Sequence, residues 1–86
     1  MAELQVSREE VERRIKFILD KEFDVDQAMI MPGSRVIEDL GLEAIDSIEL
    51  ILHIEEKFGI NLDGQCAQLE TFDQFVSLVT RICNGQ

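Results

Sequence analysis

Residues 39–58 read Asp-Leu-Gly-Leu-Glu-Ala-Ile-Asp-Ser-Ile-Glu-Leu-Ile-Leu-His-Ile-Glu-Glu-Lys-Phe, a loop that runs into one acidic and unusually apolar helix. Wound as a helix from Ala44 to Phe58 at about 100° per residue, its apolar side chains fall into two stripes rather than one. Leu50, Ile51, Ile54 and Phe58 fill a sector of about 100°, the width of a core-facing stripe. Ile45, Ile48 and Leu52 form a second row displaced by roughly 120°, with Glu49 and Glu56 beside it and Glu55 on its other margin. A helix in a small domain cannot easily bury both stripes, so the second is expected to be a contact surface; the competing reading is core beneath a neighbouring helix. Ser47 falls in the middle of the core stripe and is expected to be buried, with Ile48 exposed.

The flanking segments supply what this helix packs against. Ser7-Arg8-Glu9-Glu10 reads as a capping box, with Ser7 as N-cap, Glu10 at N3 and Val6 against Val11 as a hydrophobic staple. The helix it opens carries Val11, Ile15, Ile18 and Leu19 on one stripe, with Glu9, Glu10, Arg13, Arg14 and Lys16 off it, and is expected to end near Lys21 or Glu22. Met31-Pro32-Gly33-Ser34 breaks any helix between Phe23 and Glu43. That long loop is expected to be ordered, because Phe23, Val25, Met29, Ile30, Val36, Ile37 and Leu40 are too apolar to leave in water. Ser34 is expected to cap a short turn that ends at Leu40, after which Gly41 can take a backbone conformation other residues avoid. Beyond the central helix Gly59 is a stop, and residues 60–64 form a short extended connection. Cys66, Ala67 and Leu69 fit one short helical turn. Thr71-Phe72-Asp73-Gln74 repeats the capping-box pattern and opens a last helix with Phe72, Phe75, Val76, Val79 and Ile82, ending at Asn84-Gly85. The expected fold is therefore all-α: three main helices and one short one in a single domain over residues 1–86, with a long ordered loop between the first two.

Charge and composition narrow the partners. Eighteen acids against eight bases give a formal charge of −10, which disfavours nucleic acid or an anionic membrane and makes a basic protein surface the natural complement. No stretch reaches the length of a membrane span. The N-terminus has neither the basic region nor the apolar run of a signal peptide. Cys66 and Cys83 lack metal-ligand spacing and read as reduced residues of a cytoplasmic protein. His53 has no nucleophile beside it, since an offset of six residues puts Ser47 on a different helical face, so an enzyme is not expected. Asp24 with Asp26, and Glu55 with Glu56, lack the alternating oxygen-ligand loop of a calcium site and read as solvated acids; no metal is expected.

Glu38-Asp39-Leu40-Gly41, the acidic apolar helix and Glu55-Glu56-Lys57-Phe58-Gly59-Ile60 together resemble the acyl carrier protein family. The resemblance covers about residues 7 to 83 and is specific between 38 and 60. It implies a small four-helix bundle and a serine, in an Asp-Ser-Leu context, that carries a 4′-phosphopantetheine arm whose thiol holds an acyl chain. Here the corresponding stretch is Glu43-Ala44-Ile45, although Asp46-Ser47-Ile48 imitates the motif. Family members place the modified serine three residues after the glycine and fourteen before the phenylalanine; Ala44 meets both spacings and Ser47 misses both by three. The start of a helix, with its free N–H groups and positive dipole end, also suits a phosphodiester. The attachment position is thus Ala44, which has no hydroxyl to modify, with Ser47 as the weaker alternative. Two origins fit: an introduced serine-to-alanine change, or a natural carrier-like protein without an arm.

The function this implies is an acyl carrier of fatty acid, polyketide or related biosynthesis, monomeric, with 4′-phosphopantetheine in a serine-bearing form and none at Ala44. Its partners would be a phosphopantetheinyl transferase, a ketosynthase, and acyltransferase or acyl-activating enzymes with basic surfaces. Ile45, Ile48 and Leu52 would make the apolar contact, while Glu43, Asp46, Glu49 and Glu56 would draw in basic patches. The alternatives are a regulatory or scaffold module that uses the same face without an arm, and a small acidic helical adaptor unrelated to acyl metabolism.

Overall fold

The computed structural model describes residues 6–62, 64, 65 and 69–85. Among the described residues, three helices, α1 (Arg8–Phe23), α2 (Ala44–Phe58) and α3 (Phe72–Cys83), surround one apolar core, and a 3-10 turn spans Gln27–Met29. The small all-α fold expected from the sequence is observed. The expected turn at Cys66, Ala67 and Leu69 falls mainly on residues 66–68, outside the described residues; Leu69 itself packs half-buried against the core.

In α1 the stripe Val11, Ile15, Ile18 and Leu19 is buried, each such side chain contributing roughly 1.5–3 kcal/mol of hydrophobic stabilisation. Ser7 caps the helix by accepting from Glu10 N at 3.0 Å, and Val6 packs on the core. The second half of the expected capping box does not form, because the Glu10 carboxylate is taken by Arg13 and by Arg14 Nε at 2.8 Å. α1 runs to Phe23 and stops through Asp24, a non-glycine residue in the left-handed region at φ 59°. Asp24 N donates to Asp20 O and Val25 N reaches back to Leu19 O, both at 3.1 Å, which satisfies carbonyls the helix end would otherwise orphan.

The long loop is held to the start of α3. Val36 N donates to Glu70 O at 2.9 Å, Phe72 N to Ser34 O at 2.8 Å and Asp73 N to Pro32 O at 2.9 Å, around an isolated antiparallel bridge between Arg35 and Thr71. Val25, Ile30, Val36 and Leu42 insert into the core, but Met29, Met31 and Ile37 remain exposed: three of the loop side chains expected to be sheltered are not. The capping expectation for Ser34 is also corrected. Its hydroxyl accepts from Met31 N at 2.9 Å, upstream, and the turn at residues 35–40 is closed by Asp39, whose Oδ2 accepts from Arg35 N at 2.8 Å.

α3 opens with the full capping box: Thr71 Oγ1 accepts from Gln74 N at 3.2 Å and Gln74 Oε1 accepts from Thr71 N at 3.1 Å. Phe72, Phe75, Val76, Leu78 and Val79 are buried and Ile82 is half-buried. At the far end Asn84 brackets the Val6 backbone, accepting from its N–H at 2.8 Å and donating to its carbonyl at 3.2 Å, so the approach to α1 is tied to the end of α3.

Candidate docking and attachment site

The site is the start of α2 and the side of that helix left uncovered. Glu43 is the N-cap residue in extended conformation and Ala44 is the first helical residue. Asp46 Oδ2 accepts from Glu43 N at 3.0 Å, and Asp46 N donates to Glu43 O at 2.9 Å, which secures the first turn by the local side-chain bonding that favours acids at helix starts. Ala44 is exposed. The N-terminal end of α2 thus reaches solvent at residue 44 with its backbone already in helical register.

Two side chains of α2, Leu50 and Ile54, are buried outright, with Ile51 and Phe58 packed half-buried against the same core. Ile45, Ile48 and Leu52 are 63%, 59% and 55% exposed, so the two-stripe reading of the helix describes it. Glu43, Glu49 and Glu56 are exposed around that row, whereas Asp46 is half-buried and engaged in the cap. Glu55, which the sequence placed merely at a margin, has a structural role: its Oε2 accepts from Leu62 N at 2.8 Å and fastens the segment after α2. Only the pairing of that carboxylate with a residue seven positions on could have announced this, and no local motif encodes it.

Ser47 corrects the sequence reading. It is half-buried rather than buried, because it lies at the edge of an open groove whose walls include Val36, Ile51 and Phe75. Its hydroxyl turns back to donate to Ala44 O at 2.6 Å, the local bonding to a preceding carbonyl that serines adopt within helices. Ser47 and Ile48 line one edge of a groove of about 390 Å³ whose apolar walls are Val36, Ile37, Ile51, Leu69 and Phe75. Arg35 and Glu38 stand at its rim, paired at 2.6 Å, and that hydrogen bond and charge hold the Arg35 guanidinium protonated beyond its ordinary range. On the other side of α2, His53 Nε2 lies 3.7 Å from Glu22 Oε1 and its ring meets Phe23 edge-on at 6.0 Å, in the α1 contact and away from Ser47.

The family model described as the phosphopantetheine attachment site matches residues 13–81. This chain belongs to that family, the acyl carrier proteins. It is 28% identical over 76 residues to a protein of Thermotoga maritima named acyl carrier protein, an alignment that covers 87% of this chain and 94% of the relative. Among the described residues no helix is long and apolar enough to cross a membrane.

Proposed function

We propose that this protein acts as an acyl carrier, or as a carrier-like protein, of fatty acid, polyketide or related biosynthesis, and performs no catalysis of its own. The observation that supports this best is the exposed residue 44 at the start of α2, set beside the uncovered row Ile45, Ile48 and Leu52. In a serine-bearing form, position 44 holds the 4′-phosphopantetheine arm through a phosphodiester, and the arm's thiol supplies the thioester chemistry. The chain's own part is to offer the helix N-terminus to the phosphate and the apolar row to the partner, with Glu43, Glu49 and Glu56 orienting basic surfaces. Asp46 contributes mainly by holding the cap. The groove beside Ser47 is the shelter such a carrier offers an apolar chain. Candidate partners are a phosphopantetheinyl transferase, a ketosynthase and acyltransferase or acyl-activating enzymes; the protein works as a monomer in the cytoplasm.

A second reading is favoured by Ala44 itself. Without a hydroxyl at that position, the same face serves a regulatory or scaffold protein that binds partners and carries no arm. Intact mass after incubation with a phosphopantetheinyl transferase and coenzyme A separates the two. Ala44→Ser is expected to gain one phosphopantetheine, mapped to residue 44, while the unaltered chain stays unmodified because the Ser47 hydroxyl is half-buried and engaged with Ala44 O. An adduct on Ser47 would overturn the assignment of position 44; no adduct on Ala44→Ser would leave the scaffold reading in place.

A further inference from the structure

The groove beside Ser47 has two zones of different chemistry. Its floor is apolar: Val36 and Phe75 are buried beneath it, and Ile51 stands on the α2 side. Its outer margin is ionic. Among the described residues that line the groove, Arg35 is the one basic side chain, and Glu38 and Glu70 line it too; all three are exposed. Arg35 Nη1 donates to Glu38 Oε1 at 2.6 Å, and the charges of Glu70 and Asp39 also bear on the guanidinium. The margin thus sets three carboxylates against one cation, and its field stays negative with Arg35 counted in full.

We infer that the groove selects acyl chains by their far end: an uncharged chain binds best, one ending in an amine less well and one ending in a carboxylate worst, with Glu38 and Glu70 setting the order of the two ions. This rests on the acyl-carrier reading of the protein and adds to it the class of chain. A methyl end can lie on the floor, where covering apolar surface is favourable. A charged end cannot, because desolvating an ion without a partner costs more than burying a few methylenes contributes. Either charged chain must therefore turn its end back to the margin and leave part of the floor uncovered. There the two ions differ. An ammonium meets an excess of carboxylate, whereas a carboxylate meets repulsion, since the donor it would use, Arg35, is already held by Glu38. The margin is exposed, so the difference between the ions is modest and screened by salt. The advantage of the methyl end comes from burial and is not screened.

The test uses free thioesters of N-acetylcysteamine, which need no arm at residue 44: the octanoyl thioester, and chains of the same length that end in an amine or a carboxylate. Each is titrated into the isotope-labelled, unaltered protein and followed by amide resonances. Expected are shifts centred on Val36, Ile51 and Phe75, with the amine-ended chain bound about tenfold and the carboxylate-ended chain about fiftyfold more weakly than octanoyl. Glu38→Gln, which frees Arg35, is expected to bring the two ionic chains to within about twofold of each other, and Arg35→Gln to widen their separation about threefold. Raising the salt from about 0.1 M to about 0.5 M narrows that separation about twofold and leaves octanoyl unchanged. Glu22→Gln, an exposed charge on the other side of α2, separates the effect of the margin from that of the whole acidic chain and is expected to alter nothing. Far-UV circular dichroism reports that the variants keep their helices. Equal affinity of the two ionic chains, a response to Glu22→Gln as large as to Glu38→Gln, or octanoyl shifts that are absent from Val36, Ile51 and Phe75 would each overturn the proposal. Failure of Ala44→Ser to accept an arm would instead count against the carrier reading and leave these affinities as they are.

Discussion

α1 and α2 are nearly equal in length, 16 and 15 residues, yet they use their apolar side chains in opposite ways. α1 buries its whole stripe, Val11, Ile15, Ile18 and Leu19, and leaves Phe17 outside. α2 is richer in isoleucine and leucine but buries only Leu50 and Ile54, leaving Ile45, Ile48 and Leu52 to solvent. Apolar content in this chain therefore does not track contribution to the core. α1 uses its hydrophobic surface in folding, whereas α2 keeps a second, exposed set, the row we propose as a contact surface.

Five substitutions probe the contrast. The largest effect belongs to the stripe α2 shares with α1: Leu50→Ala is expected to destabilise by about 3 kcal/mol, as a buried leucine that leaves a cavity does, and chemical denaturation would measure it. If Leu50→Ala cost no more than a surface change, α2 would not be a core helix and the contrast would fail. Asp46→Ala is expected to cost about 1 kcal/mol through loss of the bond to Glu43 N, with fraying visible as faster amide exchange in the first turn of α2. Glu55→Ala is expected to cost a similar 1 kcal/mol or so by freeing Leu62 N, the disturbance appearing after α2 and not at its start. Ile48→Ser should change stability by less than about 0.5 kcal/mol while weakening any partner held by the row; a large loss of stability would mean the row is core after all. Smallest in stability is Glu49→Lys, expected to be neutral in denaturation but to slow association with a basic partner and flatten its dependence on salt, since exposed charges are screened over about 10 Å at 0.1 M.

Much of this was legible along the chain. The α1 stripe, the helix stop at Gly59, the positive φ of Gly41 and the capping box of Thr71 and Gln74 depend on residues within a few positions of one another, where periodicity and capping chemistry act directly. The two stripes of α2 could be separated for the same reason. The proposed attachment position, Ala44, is of another kind: it follows from the family resemblance, whose spacings to Gly41 and Phe58 it meets. Less legible were side chains with a choice of partners. Glu10 had the capping sequence but two arginines within reach, and a charged guanidinium competes well with a backbone N–H. Ser34 bonded upstream while Asp39, a stronger acceptor, took the turn.

The helices, their inward stripes and the surplus apolar row on α2 are local properties of the chain, because each follows from side chains a turn or two apart on one helix. The cover over each face is not local: Ser47 ends half-buried at a groove instead of sealed beneath the core. The fastening of the long loop to residues 70–73 and the gathering of Arg13, Arg14, Phe17 and Lys57 around one channel were likewise settled in three dimensions. The physical reason is the same in each case: burial and charge density depend on which distant segments arrive at a given face, and a helical period specifies the face without specifying what covers it.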